Sequence, residues 1–246
     1  TFLLSLRDQG ERGVELAVGA ELMRKFSTKI PISPDLRPLA DNCGTGGDGS
    51  NSFNISTASA IVAAAAGIKL AKHGNRSVSS KCGSADLFFE AGLPDSMTPE
   101  QSGQLLTDTG FTFFFAPHFH PVMKHVMPVR KALKVRTIFN LLGPLANPIS
   151  PEIQLIGVGD KKYLSPMAEA LNKLGVKTGL IVHSRDGLAE ISPSAITDGI
   201  LIKNGTLEKI EIDPKIFGIN GSLQDLAGGD ASYNYKILQE LLAGES

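Results

Sequence analysis

Short apolar segments alternate with longer helical ones along most of this chain, and this alternation constrains the fold more than any other feature. Residues 39–43, 68–71, 111–115, 153–158 and 177–182 have the character of strands, and segments of helical spacing separate them. Strands that alternate with helices of roughly 10–15 residues favour a parallel sheet with helices packed against it. We therefore predict the α/β class, with a mostly parallel central sheet flanked by helices.

The helical segments and one hairpin complete this prediction. Apolar spacing predicts helices over 5–26, 56–67, 99–109, 118–133, 161–174 and 233–242, the fourth of them interrupted by Pro121 and Pro128. Asn204-Gly205 is a two-residue turn signal between the apolar runs 199–202 and 207–212, which we expect to pair as a hairpin. Three prolines within 29–38 predict a linker between the first helical segment and the first strand.

Charge and composition exclude several classes of protein. Lys plus Arg number 24 and Asp plus Glu 25, so the net charge of −1 argues against a partner made of nucleic acid. The longest apolar runs, such as 60–68, are far shorter than the roughly 20 residues that span a bilayer, so we expect no membrane partner. The two cysteines cannot form a disulfide scaffold, which favours reduced thiols and a cytoplasmic location.

A cluster of glycines follows the first strand. Four of them fall within the six residues 44–49, and Ser56 and Thr57 then open the next helix. Residues without a Cβ let backbone N–H groups approach an anion, and the start of a helix favours negative charge. A strand, a glycine loop and a helix start together predict a phosphate site, although a tight turn without a ligand would explain the segment taken alone.

A second polar segment, 72–84, follows the next strand. It contains three cations, one histidine, one asparagine and several hydroxyl groups, and Gly83-Ser84 opens another helix. Such a segment could bind a polyanion, although a charged loop taken singly is more often a solvated one. Because α/β proteins bind ligands beyond the carboxyl ends of their strands, two such loops after neighbouring strands favour one shared site.

Two further segments contain candidate side chains. Asp186 and Glu190 follow a strand and are candidate oxygen ligands for Mg²⁺, with a solvated acidic loop as the alternative. Arg130 and Arg136 could bind a substrate carboxylate, with an exposed basic helix face as the alternative. The spacing of the nearby histidines at 118, 120 and 125 is not that of a helical zinc pair.

Five motifs in this order resemble the anthranilate phosphoribosyltransferase family: Gly44-Thr-Gly-Gly-Asp48, Asn54-Ile-Ser-Thr57, Lys72-His-Gly-Asn-Arg76, Gly83-Ser-Ala-Asp86 and Arg136-Thr-Ile-Phe-Asn-Leu-Leu-Gly-Pro144. Members join anthranilate to 5-phosphoribosyl-1-diphosphate (PRPP) in tryptophan biosynthesis. The resemblance implies a small helical domain, 1–37 plus 118–142, and an α/β PRPP-binding domain, 38–117 plus 143–246. It also implies a homodimer formed through the helical domain, and a chain that is shorter than the family at both ends.

The resemblance assigns a role to each matching position. It implies PRPP binding by Gly44, Gly47, Asp48, Ser52, Asn54, Ile55, Ser56, Thr57, Lys72 and Ser84, with Lys72, Gly44 and Gly47 stabilising the transition state. It implies anthranilate binding by Gly44, His73, Asn75, His120, Arg130, Gly143 and Pro144. It implies Mg²⁺ as the cofactor, held by Ser56 and Glu190.

The chain departs from the family pattern at two of these sites. Ala189 stands where the family usually has an aspartate beside the metal-binding glutamate, and Ser52 stands where threonine is usual. The first change removes one metal carboxylate, while the second keeps the hydroxyl group. Two alternatives therefore remain open at this point, a pyrimidine nucleoside phosphorylase-like enzyme, which shares the first motif loosely, and a non-catalytic relative of the family.

Overall fold

The computed structural model of the protein describes residues 2–77 and 80–245. Within these residues the α-helices are α1 (Phe2–Gln9), α2 (Gly13–Lys25), α3 (Ile55–Ala65), α4 (Ser84–Glu90), α5 (Pro99–Thr109), α6 (Ala116–Phe119), α7 (Met127–Leu133), α8 (Phe139–Leu145), α9 (Leu164–Lys173) and α10 (Ala231–Ala243). The strands are β1 (Ala40–Asp41), β2 (Leu70–Gly74), β3 (Phe111–Phe115), β4 (Ile153–Gly157), β5 (Thr178–Ser184), β6 (Thr197–Lys203) and β7 (Thr206–Ile212).

All of these strands belong to one sheet, in the order β3-β2-β1-β4-β5-β6-β7. Strands β1 to β5 run parallel, and β6 and β7 add an antiparallel hairpin that turns at Asn204 and Gly205. The prediction of a mostly parallel α/β sheet is therefore confirmed. The chain builds one side of the sheet outward from β1 and then returns to β4 on the other side. This reversal leaves a crevice at the carboxyl ends of β1 and β4, where open α/β sheets bind ligands.

Three predicted helices differ in the structure. The segment 5–26 forms two helices, because the chain leaves α1 at Gly10, whose φ is +81°, and α2 begins at Gly13. The segment 118–133 divides into the end of α6, a 3-10 turn over Pro121–His125, and α7, since prolines cannot continue an α-helix. The segment 161–174 opens with a 3-10 turn over Lys161–Tyr163 before α9 begins.

The largest apolar cluster joins the first helices to the sheet. Leu16 and Ala20 of α2 pack in it with Leu142 of α8, Met167 of α9 and Ile156 of β4, all of them buried. Burial of large apolar side chains stabilises by about 1.5–3 kcal/mol each, so this cluster fixes α2 and α8 relative to the sheet. The division of the chain into two domains stays a prediction.

No helix in the described ranges has both the length and the apolar character needed to cross a membrane.

Candidate active site

The glycine loop crosses the carboxyl ends of β1 and β4. Gly46, Gly47 and Gly49 adopt left-handed backbone angles, with φ between +59° and +76°, which other residues adopt only with strain. The Thr45 N–H donates to the Gly157 carbonyl at 2.9 Å and holds the loop against β4. A Cβ on Gly44 would lie 3.0 Å from that same carbonyl oxygen, so glycine permits the close approach.

The chain after this loop is tied to a distant part of the sequence. Ser52 forms a β-bridge with Ala227. Asn54 then accepts a hydrogen bond from the Asn234 amide at 2.9 Å and donates one to the Cys82 carbonyl at 3.1 Å. These contacts fix the backbone directly before α3. Asn54 therefore joins three segments, in addition to the PRPP contact that the family resemblance implies for it.

The Lys72 ammonium lies where the strand ends and the start of α3 meet. Its side chain is 1% exposed, and Nζ donates to Asn42 Oδ1 at 2.9 Å and to Ser56 Oγ at 3.2 Å. Both acceptors are neutral oxygens. Against the effect of burial, Lys72 also lowers the pKa of the nearby Asp41 and Glu190 carboxyl groups. The ammonium therefore places a positive charge beside the glycine loop, where it can attract an anion.

Two more hydroxyl groups line the same position. Thr57, at the start of α3, donates through Oγ1 to Ser84 Oγ at 3.1 Å, and Ser84 is the first residue of α4. The two helix starts therefore point towards one place. The structure thus brings together the sequence-predicted residues Ser56, Thr57, Lys72 and Ser84.

Two carboxyl groups approach this region from the loops. The Ala189 N–H donates to Asp48 Oδ2 at 2.8 Å and joins the glycine loop to the loop after β5. Burial raises the pKa of Glu190 to about 7, with Lys72 lowering it and Asp48 raising it. Asp48, Lys72 and Glu190 therefore lie close enough to influence one another.

The carboxylate of Asp186, a candidate metal ligand, accepts hydrogen bonds from two serines. Its Oδ2 atom accepts hydrogen bonds from Ser192 and Ser194, both at 2.6 Å. Although burial raises its pKa, these and other hydrogen bonds outweigh that effect and lower it to about 2. Asp186 consequently holds the loop that presents Glu190.

The donor groups at this corner suit a magnesium ion that is shared with a substrate. Within the described ranges, no group of three or more His, Cys, Asp or Glu side chains could hold a metal on its own. Mg²⁺ commonly binds through one or two carboxylates plus substrate phosphates and water. The Glu190 carboxyl, the Asp48 carboxyl and the Ser56 hydroxyl fit that pattern, and a cation would offset the burial of Glu190.

Two buried histidines form the other side of the site. His73 Nδ1 lies 3.0 Å from the Gly143 carbonyl oxygen, and its Nε2 lies 3.2 Å from Nε2 of His120. Burial lowers the pKa of His73 to about 3 and that of His120 to about 4, so both rings are neutral near pH 7. Since a carbonyl only accepts, we assign the proton of His73 to Nδ1, and His120 then donates to His73.

Asp41 is a buried carboxylate that sequence reasoning missed. It accepts hydrogen bonds from the backbone N–H groups of His73 and Cys43, both at 3.1 Å, and from the Asn147 amide at 2.9 Å. Burial raises its pKa, against the effect of Lys72 and these donors. Its one sequence signal is its place at the end of the first strand, two residues before the glycine loop begins. Asn42, which holds Lys72, follows it directly and was missed too.

The remaining predicted residues lie on separate elements. The Arg136 guanidinium lies against the glycine loop, since a Cβ on Gly47 would be 3.4 Å from its Nη2. Arg130, on α7, lies 5.9 Å from the ring centre of Phe139, at the start of α8. Asn75 is exposed in the loop before α4, and its carbonyl accepts from the Ala85 N–H at 3.2 Å. Arg130 and Asn75 therefore lie on separate elements of the fold.

Fold and site together define a class. The glycine loop, two helix starts and a buried lysine converge at the switch point of a mostly parallel sheet, which is the arrangement of an α/β enzyme that binds a phosphorylated substrate. The family described as "Glycosyl transferase family, a/b domain" matches residues 36–246. A curated relative from Idiomarina loihiensis, named anthranilate phosphoribosyltransferase, is 46% identical over 243 residues, which cover 98% of this chain and 71% of the relative.

Solved structures give the same result. The crystal structure of anthranilate phosphoribosyltransferase from Thermus thermophilus has a TM-score of 0.91 and 42% identity, covering 99% of this chain and 72% of that one. The enzyme from Saccharomyces cerevisiae in complex with PRPP and Mg has a TM-score of 0.90 and 32% identity, covering 100% of this chain and 68% of that one. The chain belongs to the anthranilate phosphoribosyltransferase family.

Proposed function

We propose that this protein transfers the phosphoribosyl group of PRPP to the amine of anthranilate, giving N-(5-phosphoribosyl)anthranilate and diphosphate. The observation that carries this proposal is the buried Lys72 ammonium between the glycine loop and the start of α3. A diphosphate is the kind of group that such a cradle binds. Family membership supplies the reaction and makes PRPP and anthranilate the substrates.

The PRPP site follows from this placement. Lys72 and the hydroxyl groups of Ser56, Thr57 and Ser84 contact the phosphate groups, and the glycine loop offers its N–H groups. The complete set is Gly44, Gly47, Asp48, Ser52, Asn54, Ile55, Ser56, Thr57, Lys72 and Ser84.

Mg²⁺ is the cofactor of the reaction, and Ser56 and Glu190 hold it in this proposal. When bound, the ion neutralises charge on the diphosphate as that group leaves. Ala189 contributes only its N–H, which holds Asp48 in place. Asp48 is therefore the second carboxylate near this position.

Anthranilate binds on the histidine side of the cleft. Arg130 provides a cation for the carboxylate and Asn75 a polar contact for the amine, while the neutral His73–His120 pair and the end of α8 shape the pocket. The complete set is Gly44, His73, Asn75, His120, Arg130, Gly143 and Pro144.

The chemistry requires little besides positioning and charge stabilisation. The bond from C1 of the ribose to the diphosphate breaks, and the amine nitrogen attacks C1 from the opposite face with inversion. The nitrogen then releases a proton to solvent. Negative charge grows on the leaving diphosphate, so Lys72 and the N–H groups of the glycine loop stabilise the transition state. Because an aromatic amine is a neutral nucleophile, no strong general base is needed.

The assembly and location are further parts of this proposal. Val14, Val18, Leu22 and Phe26 recur every four residues along α2 and its end, and they are 44–55% exposed. Such a stripe on one helix face is typical of a surface that another molecule covers. We assign it to a second copy of this chain, joined through a helical domain of 1–37 plus 118–142. The two free cysteines suit the reducing cytoplasm.

Product analysis tests the proposal against its nearest alternative. The protein is mixed with PRPP, Mg²⁺ and anthranilate, and the products are identified by mass spectrometry. The expected result is phosphoribosylated anthranilate and diphosphate in equal amounts. Release of free base from uridine or thymidine in the presence of phosphate, with no anthranilate product, would instead support a nucleoside phosphorylase.

A further inference from the structure

The carbonyl end of α8 is held by three side chains from three other elements. Gly143, Pro144 and Leu145 are the last residues of this helix. Their carbonyl oxygens accept, in order, from His73 Nδ1 at 3.0 Å, Gln154 Nε2 at 3.0 Å and Arg24 Nε at 2.8 Å. We call Arg24, His73 and Gln154 the carbonyl clamp.

The clamp meets a physical need of this helix. The last carbonyl groups of any helix lack partners within it, and buried carbonyl groups must find them elsewhere. Pro144 and Leu145 are buried, so water cannot serve that role freely. Cationic groups are also favourable near the carbonyl end of a helix, which suits Arg24.

Burying the polar side chains of Arg24 and Gln154 costs free energy of folding. A purely stabilising role does not explain why polar residues occupy these two positions. Arg24 is 8% exposed and Gln154 is 2% exposed. Burial lowers the pKa of Arg24 to about 10, against the effect of Asp41 and Glu21. Arg24 Nη2 and Gln154 Oε1 are buried and have no hydrogen-bond partner among the residues that the structure describes. Buried polar groups left in this way destabilise a fold, and apolar side chains would avoid that cost.

The clamped residues form a wall with open space in front of it. A Cβ built on Gly143 would meet no atom within 4 Å in the described part of the chain outside its own helix, so the glycine leaves open space on that side. His73, which binds the Gly143 carbonyl, is also in contact with His120. The clamp therefore connects this wall to the histidine pair.

We infer that Arg24 and Gln154 are positioning residues for the acceptor substrate, acting through the Gly143-Pro144 wall. This inference rests on the proposed function, which places anthranilate against that wall. The phosphate cradle is built from other segments, the glycine loop and the start of α3. Weakening the clamp should therefore change acceptor binding and leave PRPP binding nearly unchanged.

Steady-state kinetics of three variants test this inference. Gln154→Leu and Arg24→Met each remove one clamp hydrogen bond, while Arg24→Gln keeps an N–H donor without the charge. We expect the KM for anthranilate to rise about tenfold in the first two, the usual size for one buried hydrogen bond, and the KM for PRPP to stay within about twofold. Arg24→Gln should recover part of the loss if the hydrogen bond matters more than the charge.

The matched control is Ser102→Ala. Ser102 is also a fully buried polar residue, but it lies on α5, away from the clamp. The control should leave both KM values unchanged. If the clamp variants change both KM values equally, or change only the thermal midpoint, Arg24 and Gln154 are structural residues and the inference is wrong.

A second measurement tests the clamp independently of enzyme activity. Hydrogen–deuterium exchange is followed in peptides that cover 139–147. Gln154→Leu should exchange faster there than wild type, and Ser102→Ala should not. If wild-type protein does not consume anthranilate, the proposed function fails whether or not exchange changes. If exchange in 139–147 is unaffected by Gln154→Leu, the clamp itself is contradicted.

Discussion

Among single residues, the buried Lys72 connects the structure of the site most directly to its proposed chemistry. The buried ammonium donates to Asn42 and Ser56 and, against the effect of burial, lowers the pKa of the Asp41 and Glu190 carboxyl groups, so it places a fixed positive charge beside the glycine loop. Glu190 is half-buried, and His73 and His120 are buried. The pKa values of all three are shifted towards the neutral form. The residue-scale predictions concern these groups.

Replacing Lys72 should slow the reaction strongly. Lys72→Met keeps most of the side-chain volume and removes the charge that faces the leaving diphosphate. Loss of one such contact costs about 2.7–4 kcal/mol in the barrier, so kcat/KM for PRPP should fall by about 100- to 1,000-fold. Lys161→Met is the control, because Lys161 is an exposed partner of Asp198. An unchanged kcat/KM in Lys72→Met would show that the ammonium does not face PRPP.

Magnesium affinity should depend on pH through Glu190. Burial raises the pKa of this carboxyl to about 7, and the group must lose its proton before it binds the ion. Below pH 7 the Kd for Mg²⁺ in the presence of PRPP should rise, approaching tenfold per pH unit. Calorimetric titrations between pH 5.5 and 8 measure this directly. Glu190→Gln should bind weakly with a flat profile, whereas a steep profile in that variant would assign the proton to another group.

The histidine pair should make the fold less stable in mild acid. The folded pKa values of His73 and His120, about 3 and about 4, lie below the 6.5 of a free histidine. The unfolded chain therefore binds more protons below pH 6.5. Above pH 6.5 the two histidines do not reduce the free energy of unfolding. Below that pH it falls by up to about 1.4 kcal/mol per pH unit for each histidine.

Urea unfolding between pH 6.5 and 5 checks this dependence in a Glu190→Gln background, because the raised pKa of Glu190 changes the free energy of unfolding in the opposite direction over the same range. His120→Gln should reduce the slope, and His125→Gln, at an exposed position, should not. Equal slopes in all three proteins would mean that the pair takes up protons without unfolding.

At the scale of elements, the site depends on helices that are distant in sequence. The contact between α10 and the start of α3 passes through Asn234, which is 2% exposed. Its amide donates to Asn54, and its Oδ1 accepts from the Gly229 N–H at 2.7 Å. Helix α10 therefore supports the phosphate cradle without containing any of its predicted residues.

Removing this link should affect both stability and PRPP binding. Asn234→Ala leaves two half-buried polar partners unpaired, at a cost of about 1 kcal/mol in the free energy of unfolding. We also expect the KM for PRPP to rise several-fold, since Asn54 is freed at the start of α3. Lys236→Ala, on the exposed face of α10, should change neither value. A normal KM in Asn234→Ala would limit the contact to a structural role.

The sequence was most informative about elements with a clear period and about clustered motifs. Helix α5 and strand β3 have the predicted bounds, because a capped start and a glycine end define the first and an aromatic run defines the second. Helix α8 was missed, since Pro144 lies inside it. That helix depends on partners far away in the chain, which no local pattern reveals.

The sequence likewise predicted some residues of the candidate site and missed others. The glycine loop and Lys72 were found because they belong to dense polar segments after strands. Asp41, Asn42, Asn147 and Asn234 were missed, because each is a single polar residue whose meaning comes only from its partners. Their roles became visible once the sheet had brought those partners together.

At the scale of the whole molecule, the sheet order brings distant segments to one edge. The reversal between β1 and β4 places the glycine loop beside the loop after β5, and the hydrogen bond from Ala189 to Asp48 joins them. Helices α2, α8 and α9 pack into one core on this sheet. The exposed apolar stripe on α2 is the surface that we propose for assembly.

An acidic substitution in that stripe should separate the two copies. Leu22 is 51% exposed, so Leu22→Asp should leave the fold intact while placing a charge in the interface. Light scattering coupled to size-exclusion chromatography should give a dimer for wild type and a monomer for the variant. Gln104→Asp, on the exposed face of α5, is the control and should stay a dimer. A monomeric wild type would contradict the assignment of the stripe to a second copy.

The most direct test of the account is the loss of anthranilate fluorescence when the wild-type protein is mixed with anthranilate, PRPP and Mg²⁺. The account predicts steady consumption that requires both PRPP and Mg²⁺ and that is strongly reduced in Lys72→Met. No consumption by folded wild-type protein with all three components would contradict the proposed transfer. Consumption at the wild-type rate in Lys72→Met would contradict the assigned site.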